Sequence, residues 1–359
     1  MPLPASDLDH VLAHTRDAWH ALAGGRLFIT GGTGFFGKWL LETFVHANTA
    51  LGLDAQAVVL SRNPEAFTRA MPHLADAPCL RFARGAIGDF TPPEGSFSHV
   101  IHAATPTSAA LHELAPFEMI DTGVNGTRRV LDFAIDKKVG AFLFTSSGAV
   151  YGATRSGEAG GARAAFAETA TSGPDLSNPR NAYAEAKRLA EVMCAVAAEK
   201  HGLPVRIARC FAFVGPYLPL DAHFAIGNFI GNALRGENIQ IKGDGLAVRS
   251  YLYAADLAIA LWQLLLQGDS RQAYNVGSPE AVSIGELARA VTSAVAPQLK
   301  VEITGAAVPG LDYYVPDTTR FDARFGAQRR IGLVDAIRRT HDFYRHDIHQ
   351  PRAQGALAG

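Results

Sequence analysis

Tyr183-Ala-Glu-Ala-Lys187 is the stretch of this sequence with the most chemistry to offer. A tyrosine and a lysine four residues apart on a helix share one face and can reach a common ligand. A free phenol has a pKa of about 10 and is a poor base at neutral pH. An ammonium fixed beside it favours the phenolate, so Lys187 is expected to bring the Tyr183 pKa toward the working range. Ser147 stands at the end of the apolar run Ala141 to Thr145, which reads as a strand. A hydroxyl at a strand's carboxyl end faces the ligand crevice of an open sheet and can hydrogen-bond a substrate oxygen. Each residue alone has a plainer reading, Tyr183 as a half-buried helix aromatic and Ser147 as a cap.

A glycine-rich turn far upstream gives these groups a partner. The short strand Leu27-Phe28-Ile29 runs into Thr30-Gly31-Gly32-Thr33-Gly34-Phe35-Phe36-Gly37, and a helix from Lys38 to about Ala47 follows. Both G-x-G-x-x-G and G-x-x-G-x-x-G registers are satisfied. Glycine is needed where the backbone turns sharply and approaches a pyrophosphate, which then sits on the helix N-terminus. Gly31, Thr33, Gly34, Phe35, Phe36 and Gly37 are the expected contacts of a dinucleotide, because the turn stands between a strand and a helix. An NAD site expects an acidic residue at the end of the second strand. Asp54 precedes that strand, which instead ends Leu60-Ser61-Arg62-Asn63. Ser61 and Arg62 are therefore the expected ribose contacts. A guanidinium suits a 2′-phosphate, so the reading is NAD or NADP with a lean toward NADP.

The elements that must position these groups follow from periodicity. Residues 5 to 23 carry apolar positions at helical spacing. Further strands are expected at Ala57–Leu60, Leu80–Ala83, His99–His102 and Val205–Ala208, with helices at Val124–Lys137 and Ala182–His201 among others. Alternating strands and helices imply a Rossmann-type, doubly wound parallel sheet of the α/β class. Beyond Phe211 the rhythm breaks into short elements, read as a smaller C-terminal substrate-binding lobe. Residues 1–210 with a return segment near 246–277 form the expected nucleotide domain, and 211–245 with 278–350 the lobe. Residues 152 to 180 read as a long surface loop and the tail after His349 as frayed. Lys and Arg number 33 against 34 Asp and Glu, with no basic stripe, so no nucleic-acid partner is expected. No histidine or cysteine spacing is read as a metal site. Three widely spaced cysteines, Cys79, Cys194 and Cys210, suggest reduced thiols. No signal pattern or membrane-length apolar run is present, and a soluble, cytoplasmic protein is expected.

Thr30-Gly31-x-x-Gly34-x-x-Gly37, Ser147 and Tyr183-x-x-x-Lys187, in this order, resemble the extended short-chain dehydrogenase/reductase family. Within it the chain looks most like the nucleotide-sugar epimerase/dehydratase branch, from about Arg26 to Ile337. The resemblance implies that Ala103 and Ala104, after His102, line the cofactor. It places Asn125 behind the tyrosine and lysine, Ser146 at the cofactor, and Phe213 in a segment passing the nicotinamide. His223, Asn228, Arg249, Asn275 and Tyr314 fall in blocks that bind a nucleoside-diphosphate sugar. It also implies that Tyr183 takes a proton from a sugar hydroxyl, usually at C4, as hydride passes to the nicotinamide, and that Ser147 holds the same oxygen. Homodimers through the helices around Val124 and Tyr183 are common in the family. Its 4,6-dehydratases carry an Asp-Glu pair just after the catalytic hydroxyl residue, and related decarboxylases keep the glutamate. Gly148 and Ala149 stand there instead, so water elimination by the usual route is disfavoured. Ala86 and Ala212 replace an adenine-contacting aspartate and a substrate-contacting asparagine. The expected activity is oxidation or epimerisation of a nucleotide hexose at C4. The alternatives are an NADPH-dependent 4-ketoreductase, a dehydratase, and a silent nucleotide-binding protein.

Overall fold

Apolar runs of four to seven residues, flanked by turn residues, are what a parallel sheet covered on both faces requires. The computed structural model of the chain, which describes residues 1–104, 115–152, 154–155, 165–222, 224–306, 312–326 and 330–348, contains such a sheet. Its strands are β1 (Arg26–Thr30), β2 (Gln56–Ser61), β3 (Leu80–Arg84), β4 (His99–His102), β5 (Ala141–Ser147), β6 (Val205–Cys210) and β7 (Gln272–Val276). All pairings are parallel, in the order β7-β6-β5-β4-β1-β2-β3. Every residue of β4 and β5 is buried. The doubly wound class is as the sequence implied, and β7 is a seventh strand beyond the six that periodicity marked. The strand order reverses between β1 and β4. Ligands of such sheets bind in the crevice beyond the carboxyl ends there.

The principal helices are α1 (Ala5–Thr15), α2 (Phe35–Leu51), α3 (Pro116–Asp136), α4 (Ala182–His201), α5 (Ala225–Arg235) and α6 (Ala254–Gln267). The leading helix is shorter than its periodicity suggested, because Arg16–Leu22 tightens into a 3-10 turn that drives Trp19 against Trp262 at 4.4 Å. Helix α6 is buried from Ala254 to Leu265, as its nearly unbroken apolar sequence demands. Helix α3 begins at Pro116, earlier than expected, and packs along α4 where Gly123 meets Ala186: a Cβ on that glycine would lie 3.0 Å from the alanine methyl.

A second, four-stranded sheet joins Val282–Ser283, Val248–Arg249, Asp312–Tyr314 and Thr154–Arg155 in that order. It carries Arg249 and Tyr314, which pair in register, toward the end of β5. The expected loop over residues 152 to 180 is thus partly structured. Thr154–Arg155 is a strand, and Phe166 bridges to Pro316 and is buried with Val150, Tyr151 and Phe211. Residues 156–164 and the tail from 349 lie outside the described residues.

Candidate active site

The turn after β1 is closed by its glycines. Gly31 has φ +74°, and a Cβ there would lie 2.5 Å from the Ala103 carbonyl; one on Gly37 would lie 2.3 Å from the backbone of Gly32. Side chains at these positions would push the turn open, which is why the pattern is obligatory. Helix α2 then starts just after Gly34, with no side-chain cap and no acidic residue in its first turn. An uncapped positive helix end suits an anionic group, so the cradle fits the pyrophosphate of a dinucleotide. Thr33 and Phe35 are partly exposed on this turn. Phe36 meets Phe213 edge-on at 5.1 Å, which joins the turn to the segment after β6. Ala103 donates its N–H to the Thr30 carbonyl, and the Ala104 N–H reaches the Thr30 hydroxyl.

His102 locks this floor. Thr127 Oγ1 donates to the Gly123 carbonyl, so it accepts from His102 Nε2 at 2.9 Å, and His102 Nδ1 accepts from Thr30 Oγ1 at 2.8 Å. Full burial, and then the nearby Lys187 charge, pull the His102 pKa down to about 3. The imidazole is therefore a neutral bridge between β1, β4 and α3.

Ser147 ends β5, and Tyr183 and Lys187 lie in the first two turns of α4. Tyr183 is half-buried, with Ser147 close enough to lower its phenol pKa, and the Ser147 hydroxyl accepts the Ala149 N–H at 3.2 Å. Lys187 is 4% exposed, donates from Nζ to the Thr145 carbonyl at 2.6 Å and lies 4.6 Å from the Phe144 ring centre. The three expected catalytic residues are thus brought together. The electrostatics differ from the sequence expectation. Burial pushes the Tyr183 phenol up to about 12, against a smaller lowering by Ser147, and burial pulls Lys187 down to about 8. Desolvation, the largest cause of each shift, disfavours both charged forms in the protein alone.

Other expected contacts divide. Arg62 is exposed at the end of β2, its carbonyl accepts from Arg84, and Arg84 pairs with Glu65. Ser61 is buried, with its hydroxyl accepting the Asn63 N–H. Asn125 is not behind the tyrosine: α3 turns Gly123, Gly126 and Thr127 inward, and Asn125 projects outward to donate to Asp121. Ser146 faces away from the crevice, since alternate strand residues point to opposite faces, and donates to Glu191 at 2.5 Å. Asn275 is fully buried and saturated, accepting from Tyr151 and donating to the Phe166 and Asp317 carbonyls. It is a structural link rather than a group open to substrate. Asn228 is half-buried on α5, and His223 lies outside the described residues. Arg249 pairs with Asp312 and stands 5.9 Å from the Tyr314 ring. Tyr314 reaches the centre itself: its hydroxyl lies 2.6 Å from where a Cβ on Gly148 would stand, and its ring meets Phe211 at a tilt, 4.7 Å between centres.

Glu191 and Arg209 escaped the sequence reading. Glu191 follows Lys187 by one turn and pairs with Arg209 of β6 at 2.7 Å, with both side chains largely buried. Its position eight residues after Tyr183 on the same helical face was the available signal. Among the described residues no group of three or more His, Cys, Asp or Glu could hold a metal ion, and no helix is long and apolar enough to cross a membrane. His10 and His14, one turn apart, are engaged with Asp256 and with the His10 carbonyl.

This architecture has known counterparts. UDP-glucuronic acid decarboxylase 6 of Arabidopsis thaliana is 27% identical over 334 residues, covering 91% of both chains. UDP-glucuronic acid decarboxylase 1 of Xenopus tropicalis is 27% identical, covering 92% of this chain and 74% of its own. The dTDP-glucose 4,6-dehydratase of Streptomyces venezuelae, solved with NAD bound, superposes with a TM-score of 0.76 at 25% identity, covering 90% of this chain and 97% of that one. The UDP-glucose 4-epimerase of Thermotoga maritima shares the fold with a TM-score of 0.74 at 20% identity, covering 90% and 99%. The model of the NAD dependent epimerase/dehydratase family matches residues 27–277, a span that runs from the glycine turn through Ser147, Tyr183 and Lys187 to the end of β7. With that match over most of its length, the chain belongs to the NAD-dependent epimerase/dehydratase family of nucleotide-sugar enzymes.

Proposed function

We propose that the protein oxidises a nucleotide-activated hexose at C4 and returns the hydride to the 4-keto sugar, as an epimerase does. One observation carries this reading. A Cβ on Gly148 would lie 2.6 Å from the Tyr314 hydroxyl and 2.8 Å from the Phe211 ring. The position beside Ser147 thus has no room for the carboxylate that water elimination would use, while the tyrosine, lysine and serine are assembled. When bound, the dinucleotide supplies the hydride acceptor. Tyr183 takes the C4 hydroxyl proton, Ser147 donates to the charge developing on that oxygen, and Lys187 supplies the positive charge that favours the phenolate. Residues 1–210 with the return segment near 246–277 would hold the cofactor, and 211–245 with 278–350 the sugar nucleotide.

A second reading, an NADPH-dependent 4-ketoreductase, is favoured by the β2 end, where Arg62, just after the strand, accepts through its carbonyl from Arg84 at the end of β3, without an acidic ribose contact of the usual kind. The purified protein, supplied with NAD or NADP and a panel of nucleotide hexoses, separates the readings. Conversion to a C4 epimer without net change at the nicotinamide absorbance band is the expected result. Net NADPH loss with a 4-keto-6-deoxy sugar would favour the reductase. Release of carbon dioxide from UDP-glucuronic acid, or formation of a dehydrated sugar, would overturn both.

We also propose a homodimer through α3 and α4. Leu189, Val192 and Val196 form an apolar stripe on α4, about half exposed each. A second copy of the same helix pair would cover it in a four-helix bundle. Val192→Glu is expected to give monomers in light scattering; an unchanged dimer would place the interface elsewhere.

A further inference from the structure

The adenine ribose of a dinucleotide held on the glycine turn lies beyond the carboxyl end of the second strand, where an acidic side chain ordinarily accepts from its hydroxyls. At the end of β2 the acceptors are already engaged. The Ser61 hydroxyl accepts the Asn63 N–H at 3.3 Å, and the Ser61 carbonyl accepts the Gly85 N–H at 3.0 Å. Asn63 caps the short helix Pro64–Ala70 through its side chain, and its carbonyl accepts from Phe67. What the strand end offers instead is donors. Arg84 ends β3 as the register partner of Ser61, and its Nη1 donates to the Arg62 carbonyl at 3.2 Å, which lays the guanidinium across the end of β2. Arg62 itself is exposed. Arg84 Nη2 is paired with Glu65, which stands in the first turn of the short helix.

We propose that Arg84, together with Arg62, forms a subsite for the 2′-phosphate of NADP, and that Glu65 occupies Arg84 until that phosphate replaces it. A phosphate monoester carries about −1.5 to −2 charge at pH 7 and several strong acceptor oxygens. A guanidinium meets such a group with paired N–H bonds, whereas the carboxylate it displaces brings a single charge. The hold of Glu65 is also weak. Arg84 and Glu65 are 60% and 58% exposed, so water and salt screen their attraction. Glu65 therefore has two effects: it keeps the guanidinium extended over the end of β2, and it competes with the phosphate for it. The subsite deepens the cofactor side of the proposed function. It rests on the glycine turn holding a dinucleotide and not on chemistry at C4.

Calorimetric titration of the protein, cleared of carried-over nucleotide, with adenosine 2′,5′-bisphosphate and adenosine 5′-monophosphate reads the subsite without any sugar. The bisphosphate is expected to bind about ten- to a hundredfold more tightly, as one or two charge-assisted contacts give. The advantage should shrink as salt is raised. Arg84→Met should remove about tenfold of it and leave the monophosphate unchanged. Glu65→Gln should do the reverse, tightening the bisphosphate and NADP by about two- to fivefold, the worth of an exposed pair, with NAD unmoved. In the Arg84→Met background Glu65→Gln should change nothing, because the competition passes through Arg84. Equal binding of the two nucleotides by the wild type overturns the subsite, and so does a gain from Glu65→Gln that persists without Arg84. Loss of both nucleotides alike in Arg84→Met overturns it as well. Equal binding leaves the dinucleotide reading in place, whereas binding of neither nucleotide removes that reading together with the subsite.

Discussion

Replacing Tyr183 with phenylalanine is expected to lower kcat by roughly 10²- to 10⁴-fold, the range typical for loss of a positioned acid–base group, while leaving dinucleotide binding and thermal stability close to wild type. The ring would stay half-buried at the start of α4, so packing is preserved and only the hydroxyl is lost. The glycine cradle lies on other elements and does not depend on it. Lys187→Met tests the same chemistry from the other side. It replaces a buried ammonium by an apolar chain of similar length and frees the Thr145 carbonyl. The phenol of the protein alone stands near 12, so ionisation at neutral pH depends on positive charge being brought to bear. Losing Lys187 should therefore move the acid limb of kcat/KM to higher pH. Turnover of the Tyr183→Phe enzyme at the wild-type rate would remove this residue from the chemistry.

How far the sequence carried depends on the distance over which each feature is decided. The glycine turn is set by residues within one strand, turn and helix, and its register could be read directly. Ser147, Tyr183 and Lys187 were legible because each sits at a fixed place on its own element, the last residue of β5 and one face of α4. Features set by contacts between remote segments were not. Asn125 was assigned by likeness, yet the inward face of α3 is chosen by its packing on α4 and His102. Asn275 is a polar residue that only the assembled fold reveals as saturated. The Gly148–Tyr314 contact joins β5 to a strand of the second sheet, and no local pattern announces it. The direction of the Tyr183 shift was missed for a related reason: spacing shows the lysine's charge, whereas burial, the larger effect, is a tertiary property.

Glu191→Ala is expected to cost roughly 3–5 kcal/mol of stability, the penalty for stranding one member of a buried ion pair, far above the 0–1 kcal/mol of an exposed pair. The carboxylate receives Arg209 through both Nε and Nη2 and the Ser146 hydroxyl through Oε1. Burial works against the Arg209 charge, and Glu191 more than offsets it, raising the guanidinium pKa above its ordinary value. Arg209 passes the link on to the Tyr151 hydroxyl, which donates to Asn275, which in turn holds the Phe166 and Asp317 carbonyls. One carboxylate thus ties β5, α4 and β6 to the segments that carry the aromatic cluster around Tyr314. Urea unfolding of Glu191→Ala and Glu191→Gln separates charge from hydrogen bonding. The glutamine keeps an acceptor for Ser146 and Arg209 and should recover part of the loss. Because Ser146 adjoins Ser147, and Glu191 lies one turn from Lys187, the alanine variant should also lose turnover in excess of its unfolded fraction at assay temperature. A stability change below 1 kcal/mol would mean that water reaches the pair and that the network does not hold the site.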